Sequence, residues 1–63
     1  MNNNFADRLR AARKKLGFSQ KRAARDWGFS LLTIQSWEQG HRNPAGLYRE
    51  KLEAILKRIE SLK

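Results

Sequence analysis

The stretch over residues 19–40 constrains the fold most strongly, because it encodes two short helices that meet at a glycine. Phe18-Ser19 precedes the first of these helices and Phe29-Ser30 precedes the second. A serine at an N-cap accepts a hydrogen bond from a free backbone amide of the first turn, which is worth about 1 kcal/mol relative to alanine. Gly28 lies where the first helix must stop, since glycine adopts left-handed backbone angles without a Cβ clash. The stretch therefore predicts a helix-turn-helix.

Apolar spacing predicts a further helix on each side of this motif. The first begins after Asn4, its expected N-cap, and ends at Gly17; its apolar face consists of Phe5, Leu9, Ala12 and Leu16. The motif helices are expected over residues 20–27 and 31–39. The last helix is expected from about residues 45–47 to about residue 62, with an apolar stripe of Tyr48, Leu52, Ile55, Leu56, Ile59 and Leu62. The sequence thus predicts an all-α, compact, four-helix bundle-like domain over residues 1–63.

The composition favours a nucleic-acid partner. Fourteen Lys and Arg residues stand against six Asp and Glu residues, which gives a net charge of +8, and so basic a domain is expected to attract polyanions. The chain has no cysteine, so no disulfide forms and a cytoplasmic location is expected. No apolar run approaches the roughly 18–20 residues of a membrane span. With one histidine and no cysteine, we expect no metal site, no cofactor and no enzymatic activity.

Several motif residues resemble the Cro/repressor-type (XRE-like) helix-turn-helix family of bacterial and phage DNA-binding proteins. They are Ser19-Gln20, Ala24, Gly28-Phe29-Ser30, Thr33-Ile34, and Trp37-Glu38-Gln39-Gly40 followed by Arg42 and Pro44. The resemblance implies a sequence-specific transcriptional regulator that binds double-stranded DNA. We expect a repressor, encoded by a bacterium, phage or plasmid, that is associated with the nucleoid when it is bound.

The second motif helix is expected to read DNA bases, because such a helix fits the major groove and presents side chains to base edges. The outward side chains expected to do so are Leu31, Leu32, Gln35 and Ser36. Gln35 can both donate to and accept from adenine, whereas the leucines can contact only thymine methyl groups. These leucines depart from the polar pair that many relatives carry at this point. The alternative is that both belong to the core or contact another protein.

Contacts to the DNA backbone fix the register of a DNA-binding protein without reading sequence. The resemblance implies that Arg10, Arg13, Gln20, His41, Arg42 and Asn43 make them. Position predicts the same contacts for Lys21 and Arg22, in the first turn of the second helix, and for Thr33, which is expected near the phosphates. For each single cation, the alternative is an ordinary solvated surface charge.

The resemblance also implies an internal brace for the second motif helix. Glu38 is expected to pair with Arg13 of the first helix, and Gln20 is expected to support the same helix. Trp27 and Trp37 are expected to be core residues rather than platforms for base stacking.

One small module rarely buries enough surface for tight, specific DNA binding. We therefore expect a homodimer on a near-palindromic operator, with the two reading helices roughly 34 Å apart. The candidate dimer seam is Ile55, Ile59 and Leu62, with Leu47 and Tyr48 nearby, since Ile59 and Leu62 are expected to lack a partner inside the chain. The alternative is that this segment only covers the core of the monomer.

Three other functions remain open at this point. An antitoxin that represses its own operon would carry the same motif and would add a toxin as a protein partner. A protein-interaction module could bind through Leu31 and Leu32. A cationic peptide on a membrane surface is disfavoured, because such peptides prefer one long amphipathic helix over interrupted, capped ones.

Overall fold

The computed structural model describes residues 5–62, and within them the chain forms four α-helices: α1 (Phe5–Leu16), α2 (Gln20–Trp27), α3 (Leu31–Gln39) and α4 (Gly46–Glu60). The predicted all-α class is confirmed, and the predicted bounds of the first three helices agree with the observed ones. Helix α4 ends at Glu60, two residues earlier than expected. The expected N-cap of α1, Asn4, lies outside the described residues.

The two motif helices begin and end as their caps dictate. The hydroxyl of Ser19 accepts a hydrogen bond from the backbone amide of Arg22 at 3.0 Å, and that of Ser30 accepts from the amide of Thr33 at 3.1 Å. Gly28 ends α2 with a φ of 81°, in the left-handed region that favours glycine. The chain can therefore reverse tightly between α2 and α3.

The core lies where all four helices meet. Helix α3 packs against α1 and α2, and α4 packs against α1. The largest side chains that are fully buried are Leu9, Ile34, Leu52 and Leu56. Trp37 is buried among them, whereas Trp27 is half-buried and packs against the margin of the core.

The expectation that Ile59 lacks a partner inside the chain is wrong. Its side chain is only 6% exposed and belongs to the core, with Leu16, Trp27 and Ile55 packed around that core. The physical reason is that α4 folds back along α1, so the final turn of α4 is covered by its own chain. Ile59 is therefore not available as an exposed seam residue, whereas Ile55 is half-buried and Leu62 is exposed.

Tyr48 also differs from the expected apolar stripe of α4. Its side chain is exposed, and its ring contacts the core only at one edge, with centroids 6.1 Å from Phe29 and 6.3 Å from Trp37. Tyr48 lies in the first turn of α4, before the helix is covered. Among residues 5–62, no helix has the length and apolar character needed to cross a membrane.

Candidate nucleic-acid interface

Helix α3 presents two different faces. Ile34, Trp37 and Glu38 are buried on the side that faces α1 and α2. The four predicted base-reading residues lie toward solvent: Leu31 and Leu32 are exposed, and Gln35 and Ser36 are half-buried. Because neither leucine is buried, the alternative that both belong to the core is wrong. Whether these four side chains contact bases stays a prediction.

An open groove runs beside the outward face of α3. It lies between α3 and the segment that leads into α4, and it brings together side chains from both: Leu32, Thr33, Ser36, Trp37, Arg42, Asn43, Pro44, Ala45 and Tyr48. Pro44 is buried and fixes the loop against the body of the protein. Arg42 and Asn43, two predicted backbone contacts, therefore lie next to the predicted base-reading residues.

The buried side of α3 carries an ion pair with α1. The Nε and Nη2 atoms of Arg13 donate to the two carboxylate oxygens of Glu38 at 2.8 and 3.0 Å, and Nη1 donates to the carbonyl of Phe18 at 3.0 Å. Gln20 of α2 adds a hydrogen bond from its Nε2 to Glu38 at 3.2 Å. The Glu38 side chain is 3% exposed and that of Arg13 is 16% exposed. One carboxylate on α3 thus binds α1 and α2 together.

The Arg13 guanidinium is charged with or without this partner, and the pair stabilises the charge further. The hydrogen bond with Glu38 raises the pKa of the Arg13 guanidinium, although partial burial acts in the opposite direction. A bidentate guanidinium–carboxylate pair also fixes the relative orientation of its two partners. The predicted pair of Arg13 and Glu38 therefore lies in contact, at the position where it orients α3.

Arg10 holds the carboxyl end of α3 from the same side. Its Nη1 donates to the backbone carbonyl of Glu38 at 2.5 Å, and its Nη2 pairs with the carboxylate of Asp7 at 2.6 Å. Carbonyls in the last turn of a helix have no partner within the helix, so a guanidinium there acts as a cap. Arg10 and Arg13, both predicted backbone contacts, thus already have partners inside the chain.

The remaining predicted backbone contacts differ in how free they are. Arg22 is held over the ring of Phe18 at 4.3 Å and reaches Asp26 at 3.4 Å. Thr33 is half-buried, and its hydroxyl bonds that of Ser30. Lys21, His41, Arg42 and Asn43 are exposed, and within residues 5–62 none of them joins an ion pair.

Sequence reasoning missed the other large ion-pair cluster. Arg8 of α1 bonds both carboxylate oxygens of Glu53 at 2.9 and 2.7 Å, and its Nε donates to Glu60 at 2.9 Å. These bonds hold α4 along α1. Glu53 and Glu60 are 45 and 52 residues from Arg8 in the chain, so local spacing in the sequence cannot predict these pairs.

Comparison with known proteins gives one match. A sequence model described as helix-turn-helix matches residues 9–60, which covers all of α2, α3 and α4 and most of α1. No curated protein and no solved structure matches the chain.

Proposed function

Because the chain belongs to the helix-turn-helix family of the matching model, in its Cro/repressor-type branch, we propose that it binds a specific operator as a homodimer and represses transcription there. Membership of this family supports a DNA-binding transcriptional regulator in general. The specific operator, the homodimer and repression are our proposal beyond family membership.

The observation that carries the proposal is the division of α3 into a held face and an open face. Ile34, Trp37 and Glu38 fix the helix to its scaffold, and the outward side chains remain accessible. A helix presented in this way fits the major groove of B-DNA, which is about 12 Å wide. We call α3 the reading helix.

Each outward side chain of the reading helix offers a different contact. Gln35 can bond adenine at N6 and N7 in a bidentate manner, and Ser36 can bond any base. Leu31 and Leu32 can pack only against thymine methyl groups. We therefore expect an operator that contains thymine and adenine at these positions.

Exposed polar groups at the start of α2 and beside the reading helix suit phosphate contacts. Lys21 lies at the start of α2, while Arg42 and Asn43 line the groove beside Leu32. These groups would fix the register of α3 on the duplex, and Arg10 and Arg13 would hold α3 from behind. In this assignment the two arginines act by positioning rather than by direct contact with DNA.

Selection from a random pool of double-stranded DNA tests the proposal. We expect the parent chain to enrich one near-palindromic motif, since two copies related by two-fold symmetry read two half-sites. Gln35→Ala should lose preference at one base pair in each half-site, because a bidentate contact is worth about 1–3 kcal/mol of discrimination. Lys57→Gln, an exposed change on α4, serves as the control and should select the parent motif.

The selection also separates the rival functions. A chain that binds DNA only through its charge would enrich no motif, and that result would refute sequence-specific regulation. An enriched motif that keeps its full preference in Gln35→Ala would refute base reading by Gln35.

A further inference from the structure

The outer face of α4 points away from the core and carries a regular pattern. Residues 47, 50, 54 and 58 follow one another at intervals of three, four and four, so they share one side of the helix, and residue 62 lies two residues beyond its end. All five are exposed: Leu47, Glu50, Ala54, Arg58 and Leu62. We call them the outer stripe.

The two residues at the ends of the outer stripe are exposed leucines. Leu47 is 82% exposed and Leu62 is 50% exposed. Leu47 lies in the first turn of α4 and Leu62 lies two residues beyond its end, in a protein with a net charge of +8. Single exposed leucines are common, but two leucines that flank a helical face with a small residue at its centre suit contact with another helix.

The two charged residues of the outer stripe join no ion pair within residues 5–62. The other five acidic residues of the chain each bond a basic side chain of the same chain: Asp7, Asp26, Glu38, Glu53 and Glu60. Within residues 5–62, Glu50 joins no such ion pair, and neither does Arg58. The stripe thus presents one free carboxylate and one free guanidinium, each four residues from Ala54.

We propose that the outer stripe binds the outer stripe of a second copy of this chain, with the two α4 helices antiparallel and the two-fold axis at Ala54. The proposal deepens the homodimer of the proposed function and rests on it only for the role of the dimer on DNA. A two-fold interface places the same surface on both partners, so each feature must meet its counterpart across the axis.

The charged and central positions of the outer stripe meet this requirement, and the two leucines meet it to within one residue. Glu50 of one copy faces Arg58 of the other, and the reverse pair forms at the same time. Leu47 of each copy meets Leu62 of the other, and the two Ala54 residues meet at the axis. Since alanine is small, the helix axes can approach to the short end of the usual 8–10 Å range.

The charge pattern also argues against DNA as the partner of this face. The stripe carries one carboxylate and one guanidinium, so it has no net charge with which to attract phosphates, whereas each of its charges would attract its opposite on a second copy. The face is about 22 Å long, from 15 residues at 1.5 Å each. A single pair of such helices buries less than the roughly 800 Å² per partner of a standard interface. We therefore expect a weak dimer in free solution.

Disulfide trapping detects such a weak pair, and the chain has no cysteine of its own. Two cysteines can bond when their Cα atoms are about 4.4–6.8 Å apart, which the proposed axis allows for Ala54→Cys. The matched control is Ala11→Cys, an exposed alanine on α1. Both variants are oxidised without DNA, and the rate of dimer formation is read on non-reducing gels.

We expect Ala54→Cys to form a disulfide dimer several times faster than Ala11→Cys. Adding Glu50→Lys or Arg58→Glu to Ala54→Cys should slow trapping several-fold, because each places like charges across the axis. Both changes together should restore the rate, since the pair is only reversed. This restoration distinguishes the proposed register from a general effect of net charge.

Equal trapping of Ala54→Cys and Ala11→Cys would overturn the proposal, and so would a double reversal that stays slow. Circular dichroism of every variant confirms that the helices are intact. Because no DNA is present, a failure here leaves base reading by α3 untouched. Conversely, a failed operator selection leaves the trapping result standing.

Discussion

Removal of the Glu38 carboxylate should destabilise the protein more than any other loss of an acidic side chain. In Glu38→Ala, Arg13 loses the acceptor of its Nε and Nη2 atoms, and Gln20 loses its partner. Breaking a buried ion pair from one side costs about 3–5 kcal/mol, because a charge is left without compensation. Arg13 is still 16% exposed, so water can partly hydrate it. We therefore expect the low end of that range, about 3 kcal/mol.

Thermal and urea unfolding, followed by tryptophan fluorescence, measure this loss. In a domain of this size, 1 kcal/mol shifts Tm by about 4–8 °C, so the Tm of Glu38→Ala should fall by at least about 12 °C. The matched control is Glu50→Ala, an exposed change without an intrachain ion pair, which should stay within about 0.5 kcal/mol of the parent chain. Dilute protein keeps any self-association of α4 out of the measurement.

A second variant tests the cause of the loss. Arg13→Met combined with Glu38→Met leaves no unpaired charge, so it should be more stable than Glu38→Ala. Equal melting temperatures of Glu38→Ala and Glu50→Ala would refute the reasoning. The ion pair would then contribute nothing to the hold on α3.

Four further variants test the contacts and the turn described above. Arg42→Ala should reduce the slope of log affinity against log salt by about 0.9, as expected for a lost phosphate contact. Arg10→Ala should leave that slope unchanged and lower the ratio of specific to non-specific affinity. A reduced slope would instead show that Arg10 contacts a phosphate. Arg8 lowers the pKa of Glu53 through its hydrogen bonds, so this pair stabilises the fold above the ordinary glutamate pKa and is lost as the pH falls through the lowered value. Glu53→Gln should therefore flatten the decline of stability below about pH 4.5, the ordinary value, and an unchanged acid unfolding curve would contradict this. Gly28→Ala should cost about 1–2 kcal/mol in urea unfolding, because φ there is 81° and an L side chain is strained in that region; parent-like stability would show that the turn can relax.

Local signals in the sequence were enough to place the helices. The N-caps at Ser19 and Ser30 and the stop at Gly28 act within four residues of their partners, and such short-range chemistry can be predicted from spacing. The exposed position of Leu32 also followed from helical spacing. The all-α class and the bounds of α1, α2 and α3 could therefore be predicted without coordinates.

Contacts between distant segments could not be predicted in the same way. The burial of Ile59 depends on how α4 folds back along α1, and the bonds from Arg8 to Glu53 join residues 45 apart. Arg10 offered no signal that separates a phosphate contact from a bond to the carbonyl of Glu38. Whether a surface cation binds inside or outside its own chain is decided by packing, not by residue type.

The hold of Arg13 and Gln20 on Glu38 has a consequence for how such a protein can change. Stability depends on the inner side of α3, while the base contacts that we propose depend on residues that the core does not use, such as Gln35. Substitutions at the outer positions can therefore give the protein a new target at little cost to its folding. The base specificity of such a scaffold can change many times while the bonds of Arg13 and Gln20 to Glu38 stay the same.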